Sequence, residues 1–203
     1  MSKENTKDVR VGRAFVAIPN YYTQVDSMPE DPEGSTPFMM HTDNSVCFVL
    51  LSPLNETQEM PHDKETIISG IREYMEENQG LIEVDATDDY AYTIVKTLKE
   101  PSGVQYILTF HKFLADGNVC IQGYFDEQGM TGIRDSMVYS VLKNENVVGC
   151  DEDPTEGWSK DPYDPNYKKG VLMNLSEQEV YDEQFPGFPL SMCREMVRTL
   201  KEN

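Results

Sequence analysis

Four consecutive β-strands are predicted by residues 81–127, which read LIEVDATDDYAYTIVKTLKEPSGVQYILTFHKFLADGNVCIQGYFDE. The apolar runs at 81–86, 90–99, 104–114 and 118–127 are separated by short segments rich in Asp, Gly and Pro. Such short connections predict antiparallel neighbours, because a parallel crossover needs about a dozen residues or more. Both alternating sets of positions within the runs are partly apolar, which is typical of a sheet covered on both faces.

Further strands are predicted on the N-terminal side of this meander. Apolar residues alternate over 9–18, ahead of a proline, and predict a first strand. Residues 37–41 and 45–52 are two more such runs, and the intervening TDN sequence has turn chemistry. These two runs therefore predict a hairpin.

A helix is predicted over 64–78, between the hairpin and the meander. Asp63 precedes it as an N-cap, and Gly80 follows it as a C-terminal stop. Its apolar residues, among them Ile71 and Tyr74, recur at helical spacing. We expect this stripe to be buried against the sheet.

A second helix is predicted over 133–142, with Thr131 as its N-cap. The order of strand, hairpin, helix, meander and helix is typical of an α+β fold. We therefore predict an antiparallel β-sheet covered by helices on both faces, in a domain formed by residues 1–149, with a C-terminal helical tail.

The composition changes after residue 149. Residues 150–170 are rich in Asp, Glu and Pro and almost free of aliphatic side chains, which predicts an acidic linker arm carrying a few aromatic residues. Residues 171–203 are predicted to be a C-terminal helical segment, because Ser176 and Glu179 have the spacing of a capping box. The last helix is expected over 191–200, with an apolar stripe formed by Met192, Met196, Val197 and Leu200.

The charge of the chain excludes several classes of partner. The 203 residues include 36 acidic and 17 basic side chains, a net charge of −19. This excess opposes a phosphate backbone or an anionic lipid surface, so neither nucleic acid nor membrane is an expected partner. The start of the sequence has no apolar signal region, and the longest apolar run, 46–51, is too short to span a bilayer. We therefore predict a cytoplasmic protein.

The sequence shows no established catalytic, cofactor or metal motif. Dinucleotide, P-loop and zincin motifs are absent, so no cofactor is expected. The four cysteines are far apart and are expected to be reduced, and the acidic clusters at 85–89 and 151–156 match only fragments of a calcium loop, so no metal is expected. No catalytic residue is assigned, although His41 or His111 would be the general base of an enzyme with an unrecognised pocket.

Three segments of the sequence resemble the PsbP-like family. They are residues 15–19 (FVAIP), residues 121–125 (IQGYF) before the second helix, and residues 132–135 (GIRD) at its start. The family includes an extrinsic subunit of photosystem II, a Ran-binding nuclear-import factor and many bacterial domains. The resemblance covers about the first three quarters of the chain and implies a bacterial member with a binding function, without catalytic residues to carry over.

These observations predict a non-enzymatic protein-interaction module, of adaptor or immunity type, that binds a protein partner with a basic surface. Its candidate partner-binding residues are Trp158, Tyr163, Tyr167, Phe185, Phe188 and Arg134. The aromatic residues among them are too large and apolar for a fully solvated arm, so they either pack on the core or anchor a partner. The alternative is a small enzyme or a small-ligand-binding domain that uses a pocket between sheet and helix.

Overall fold

A seven-stranded antiparallel sheet forms the centre of the protein. The structure, a computed structural model, describes residues 5–54 and 61–202. The strand order in the sheet is β3-β4-β5-β9-β8-β7-β6. The strands are β1 (Thr6–Val11), β2 (Ala14–Pro19), β3 (Thr23–Gln24), β4 (Thr36–His41), β5 (Ser45–Pro53), β6 (Gln79–Ala86), β7 (Tyr90–Leu98), β8 (Val104–Lys112), β9 (Val119–Glu127), β10 (Ser159–Lys160) and β11 (Met173–Asn174). The helices are α1 (Lys64–Tyr74), α2 (Ile133–Asn144) and α3 (Pro189–Glu202).

The predicted meander and the predicted hairpin are confirmed. Strands β6 to β9 pair in sequence order, and β4 pairs with β5. The N-terminal region differs from the prediction, since the single strand expected over 9–18 is a hairpin of β1 and β2. Gly12 adopts a left-handed backbone with φ 60° and reverses the chain. The apolar alternation continues on both sides of this turn, so the periodicity alone did not reveal it.

One face of the sheet and α3 form the main hydrophobic core. Ile94 and Leu108 are opposite each other on β7 and β8, and both are fully buried in the same cluster as Met196 and Leu200 of α3. The apolar stripe predicted for the last helix is confirmed, because all four of its residues are buried. The predicted α+β fold, with helices on both faces of an antiparallel sheet, is confirmed as well, since α1 lies on the face opposite α3.

Helix α1 starts as predicted but ends earlier. The Asp63 carboxylate accepts a hydrogen bond of 2.8 Å from the Thr66 N–H, as expected of an N-cap. The helix ends at Tyr74, and Gly80 lies inside β6 rather than at a helix stop. The carbonyl oxygen of Val171 approaches this glycine so closely that a Cβ there would be 1.7 Å from it. Glycine is required at this position by the packing of the tail and not by a helix terminus.

The expected burial of α1 is wrong. None of its residues is fully buried; Ile71 is half-buried, and Tyr74 is 82% exposed. The helical spacing of apolar residues correctly indicates which side of α1 faces the sheet. It does not determine how closely the helix approaches, and here α1 leaves space between itself and the sheet.

Helix α2 also differs from its prediction at the N-terminus. The N-cap is Gly132, in a left-handed conformation, and not Thr131. Met137 and Val141 are more than half exposed, whereas Val138 is buried.

Residues 161–171 lie along the edge strand β6. The Val171 N–H donates to the Gln79 carbonyl oxygen over 2.8 Å, and the Val84 N–H donates to the Tyr163 hydroxyl over 2.6 Å. Edge strands expose unpaired backbone groups, and these contacts satisfy part of that edge. The division of the chain at 149 and 170 stays a prediction.

The capping box of the tail lies two residues earlier than predicted. Asn174 is the N-cap of a short 3-10 turn, Leu175–Glu177, and Glu177 is the reciprocal partner. The spacing of three that Ser176 and Glu179 show is also met by Asn174 and Glu177. The second pair forms the capping box, because the Asn174 side-chain oxygen accepts from the Ser176 N–H over 2.9 Å and the Glu177 carboxylate accepts from the Asn174 N–H over 2.7 Å.

Substitutions in the two helices that flank the sheet should differ strongly in their effect on stability. Leu200→Ala removes a fully buried side chain of α3 and should lower the free energy of unfolding by about 2–5 kcal/mol. Tyr74→Ala on α1 should change it by less than about 0.5 kcal/mol. Urea denaturation followed by circular dichroism measures both, and equal losses would contradict the placement of the two helices.

Gly80→Ala should displace the tail from β6. The new methyl group would overlap the Val171 carbonyl, at a cost of roughly 1–3 kcal/mol. Gly70→Ala is the matched control, since no heavy atom lies within 4 Å of its added Cβ and alanine favours the helix by about 1 kcal/mol. The same denaturation experiment tests both, and a neutral Gly80→Ala would contradict the close approach of Val171.

Candidate functional site: the groove between α1 and the sheet

A groove of about 560 Å³ separates α1 from the sheet on the face opposite α3. We call it the α1 groove. Its principal lining residues are Ile67, Gly70, Ile71 and Tyr74 from α1, Ala91 and Thr93 from β7, and Thr109 and His111 from β8. Cavities of this volume fall in the range that binds ligands or side chains of a partner.

The spacing of residues in each element explains why these side chains converge. Ile67, Gly70, Ile71 and Tyr74 recur every three or four residues and share one side of the helix. On the sheet, Thr93 is opposite Thr109, and Ala91 is opposite His111 in the same register. Gly70 has no side chain to fill the space beneath it, so the centre of the groove stays open.

His111 is a histidine in the lining of the groove. It is half-buried, and desolvation lowers the pKa of its imidazole below the usual value. The ring is therefore neutral at pH 7. Among the described residues no carboxylate contacts His111, so the groove does not supply the charged partner that would orient a histidine base.

The basic residues of α1 are already paired with acids of the same chain. Lys64 lies 2.9 Å from Asp85 of β6, and Arg72 lies 2.6 Å from Asp161 of the tail. The Arg72 guanidinium also lies over the Tyr167 ring, 4.2 Å from its centroid. These contacts attach α1 to the edge strand β6 and to the segment around Asp161 and Tyr167.

Exposed carboxylates lie near both ends of α1. Glu73 follows Gly70 by three residues and lies on the same side of α1, and Glu76 and Glu77 follow the helix end. The other end of α1 is fixed beside the β6–β7 turn, because the His62 imidazole nitrogen lies 3.3 Å from the Thr87 carbonyl oxygen. That turn carries two exposed acids, Asp88 and Asp89.

The predicted partner-binding residues lie outside the α1 groove, and each contacts other parts of the chain. Trp158 packs edge-on against Tyr139, Phe185 packs edge-on against Phe188, Tyr163 binds the β6 backbone and Tyr167 stacks under Arg72. Arg134 is 5% exposed and binds the Asp182 carboxylate, while Phe185 is 6% exposed. Tyr163, at 37%, is the most accessible of the six residues. A role for these residues in partner binding stays a prediction.

Most residues of the groove were not predicted from the sequence. His111 was expected only as the base of an alternative enzyme, and Ile71 and Tyr74 were expected in the core. Threonine and histidine on one face of β7 and β8 were the available signal, since polar residues are uncommon on a fully covered face. The gap beneath Gly70 depends on the position of α1 and had no signal in the sequence.

No group of three or more His, Cys, Asp or Glu side chains in the described part of the chain is arranged to hold a metal ion. Cys47, Cys120, Cys150 and Cys193 are free thiols. None of the described helices is long and apolar enough to cross a membrane.

The pH dependence of stability should report the burial of His111. The unfolded chain takes up a proton at this residue near pH 6.5, and the folded chain resists it because the pKa is lower there. The free energy of unfolding should therefore fall as the pH drops below about 6.5, by at most about 1.4 kcal/mol per pH unit. His111→Gln should remove this contribution. Urea denaturation between pH 5 and 7.5 compares the two proteins, and parallel profiles would contradict the burial of the ring.

Comparisons with known proteins gave no match to a family model and none to a curated protein. Among solved structures, the Ran-binding protein Mog1p of Saccharomyces cerevisiae is similar with a TM-score of 0.42 and 13% identity, over 67% of this chain and 83% of that chain. A Mog1 protein with the E65A mutation is similar with a TM-score of 0.40 and 11% identity, over 96% of this chain and 94% of that chain. Membership of the PsbP-like family stays a prediction.

Proposed function

We propose that this chain is a non-enzymatic protein-interaction module that binds a basic segment of a partner protein in the α1 groove. The observation that carries the proposal is an apolar groove with exposed carboxylates near both ends of α1, while the bases of α1 are already paired. An apolar side chain of the partner would fill the groove, and neighbouring lysine or arginine residues would approach Glu73 and the acids near it.

The charge of the whole chain supports a basic partner. A net charge of −19 attracts a cationic protein over a distance set by the ionic strength and accelerates its association. Charges at the edge of an interface contribute mainly to association rate and specificity, whereas a buried apolar anchor contributes most to affinity. The α1 groove combines both elements in one place.

A small-ligand-binding domain is the second candidate, favoured by the volume and apolar lining of the groove. The partner-binding function is preferred because a small apolar ligand would make no use of the carboxylates near the ends of α1. The adaptor or immunity role and the cytoplasmic location remain proposals that rest on the charge and on the sequence.

Selection from a displayed library of random peptides tests the proposal and does not require the natural partner. Selected peptides should contain lysine or arginine beside a large apolar residue. Their binding should shift the amide NMR signals of Gly70, Thr93 and His111. Peptides without basic residues, or shifts confined to another surface, would overturn the proposal, and selection of neutral apolar peptides in the same groove would favour the small-ligand alternative.

Reversing one charge beside the groove should weaken such a peptide. Glu73→Lys should raise the dissociation constant about two- to tenfold and reduce its dependence on salt, because a rim charge contributes up to about 1 kcal/mol. The control is Glu33→Lys, another exposed acid, in the β3–β4 loop at the opposite edge of the sheet. Fluorescence anisotropy at two salt concentrations measures both, and equal effects would show that only the net charge matters.

A further inference from the structure

The sheet face beside the α1 groove is wider than the part that α1 covers. Helix α1 lies over the β6–β7 side of the sheet, and β8, β9 and β5 are the next three strands. On these strands the side chains towards α3 are buried and most of those towards the α1 side are half-buried, with Leu50 on β5 as a buried exception. The half-buried set includes Ile107, Gln122, Tyr124 and Phe48.

The dimensions of this face match one α-helix. Three neighbouring strands are spaced by about 4.8 Å each, so their axes span about 10 Å, which equals the diameter of a helix with its side chains. The three strands have nine residues each and are therefore about 30 Å long. A helix of about 18–20 residues has the same length.

We propose that the segment bound by this chain is an amphipathic basic helix of the partner, which lies beside α1 across β8, β9 and β5. This inference rests on the proposed function and specifies the structure of the bound segment. Its apolar side would contact Ile107 and Tyr124 and extend into the α1 groove next to His111. Its lysine or arginine residues would lie along the side of α1 that carries Glu73.

A bound β-strand fits this site less well. Strand addition needs a free sheet edge, whereas the site is a sheet face that presents side chains. The nearer edge, β6, already has backbone groups at Gln79 and Val84 bound by the tail. A second copy of the chain is also disfavoured, because two molecules of charge −19 repel each other.

Three labelled peptides of identical composition test the inference on the full-length protein. The first is about 18 residues long, with leucines on one side of a helix, lysines on the other side, and its two prolines at the ends. The second moves both prolines to its centre, which breaks the helix, and the third scrambles the order so that no apolar side forms. We expect the first to bind at least about tenfold more tightly than either of the others, and the bound state to show helical circular dichroism.

Two substitutions locate the bound peptide on the sheet face. Ile107→Asp should weaken the helical peptide about tenfold, and Gln122→Lys, which keeps a polar residue at its site, should weaken it by charge repulsion. The matched control is Val141→Asp on α2, where the original side chain is 55% exposed. Melting curves show whether each variant folds. If Ile107→Asp does not fold, Gln122→Lys alone tests the placement of the peptide on the sheet face.

The outcomes separate this inference from the proposed function. In one outcome the helical and proline-broken peptides bind equally, Gln122→Lys has no effect, and Glu73→Lys weakens binding. This result would overturn the inference of a bound helix and leave the proposed function of the α1 groove in place. Binding that is insensitive to Glu73→Lys and to both sheet-face variants would overturn both. Tight helical binding that Gln122→Lys weakens and Val141→Asp does not would support both.

Discussion

The fully buried carboxylate of Glu177 constrains the rest of the structure. A charge without solvent must be paired and hydrogen-bonded, and this one lies 2.9 Å from Lys96 Nζ and accepts a 2.6 Å hydrogen bond from the Tyr106 hydroxyl. It also accepts from the Asn174 N–H over 2.7 Å. These contacts fix the start of the 3-10 turn against β7 and β8. Removing any one partner would leave buried charge or polar atoms unsatisfied, so the tail and the sheet hold each other in one arrangement.

The position of the tail in turn determines the candidate site. Once Asn174 is fixed, β11 pairs with β10, and the chain between them runs along the edge of β6. This path brings Asp161 to Arg72 on α1. Because α1 has no fully buried residue, this ion pair and the stacking on Tyr167 are important for its placement. The width of the α1 groove therefore depends on contacts made about ninety residues later in the sequence.

The sequence predicted local features well and spatial ones poorly. The strands of the meander, the Asp63 cap and the buried stripe of α3 follow from periodicity and turn chemistry, which act over a few residues. Gly80 was misassigned because the same residue type ends helices and permits close backbone approach, and only Val171 distinguishes the two roles. The capping box was predicted two residues too late, because Asn174 with Glu177 and Ser176 with Glu179 have the same spacing. The groove was missed because a gap between elements leaves no pattern in either of them.

The distribution of charge links the buried network to the proposed function. Burial in the described residues removes four basic side chains from the surface, Lys96, Lys112, Arg134 and Arg194, but only three acidic ones, Asp161, Glu177 and Asp182. The exterior is thus at least as acidic as the net charge implies. Exposed acids are adjacent to each other at each end of α1, Glu76 beside Glu77 and Asp88 beside Asp89, and like charges this close repel. Helix α1 itself is shallowly packed, since none of its residues is fully buried. A basic helix bound there would relieve this repulsion and cover the apolar groove at once, so a shallowly packed part of the molecule would be stabilised by the partner.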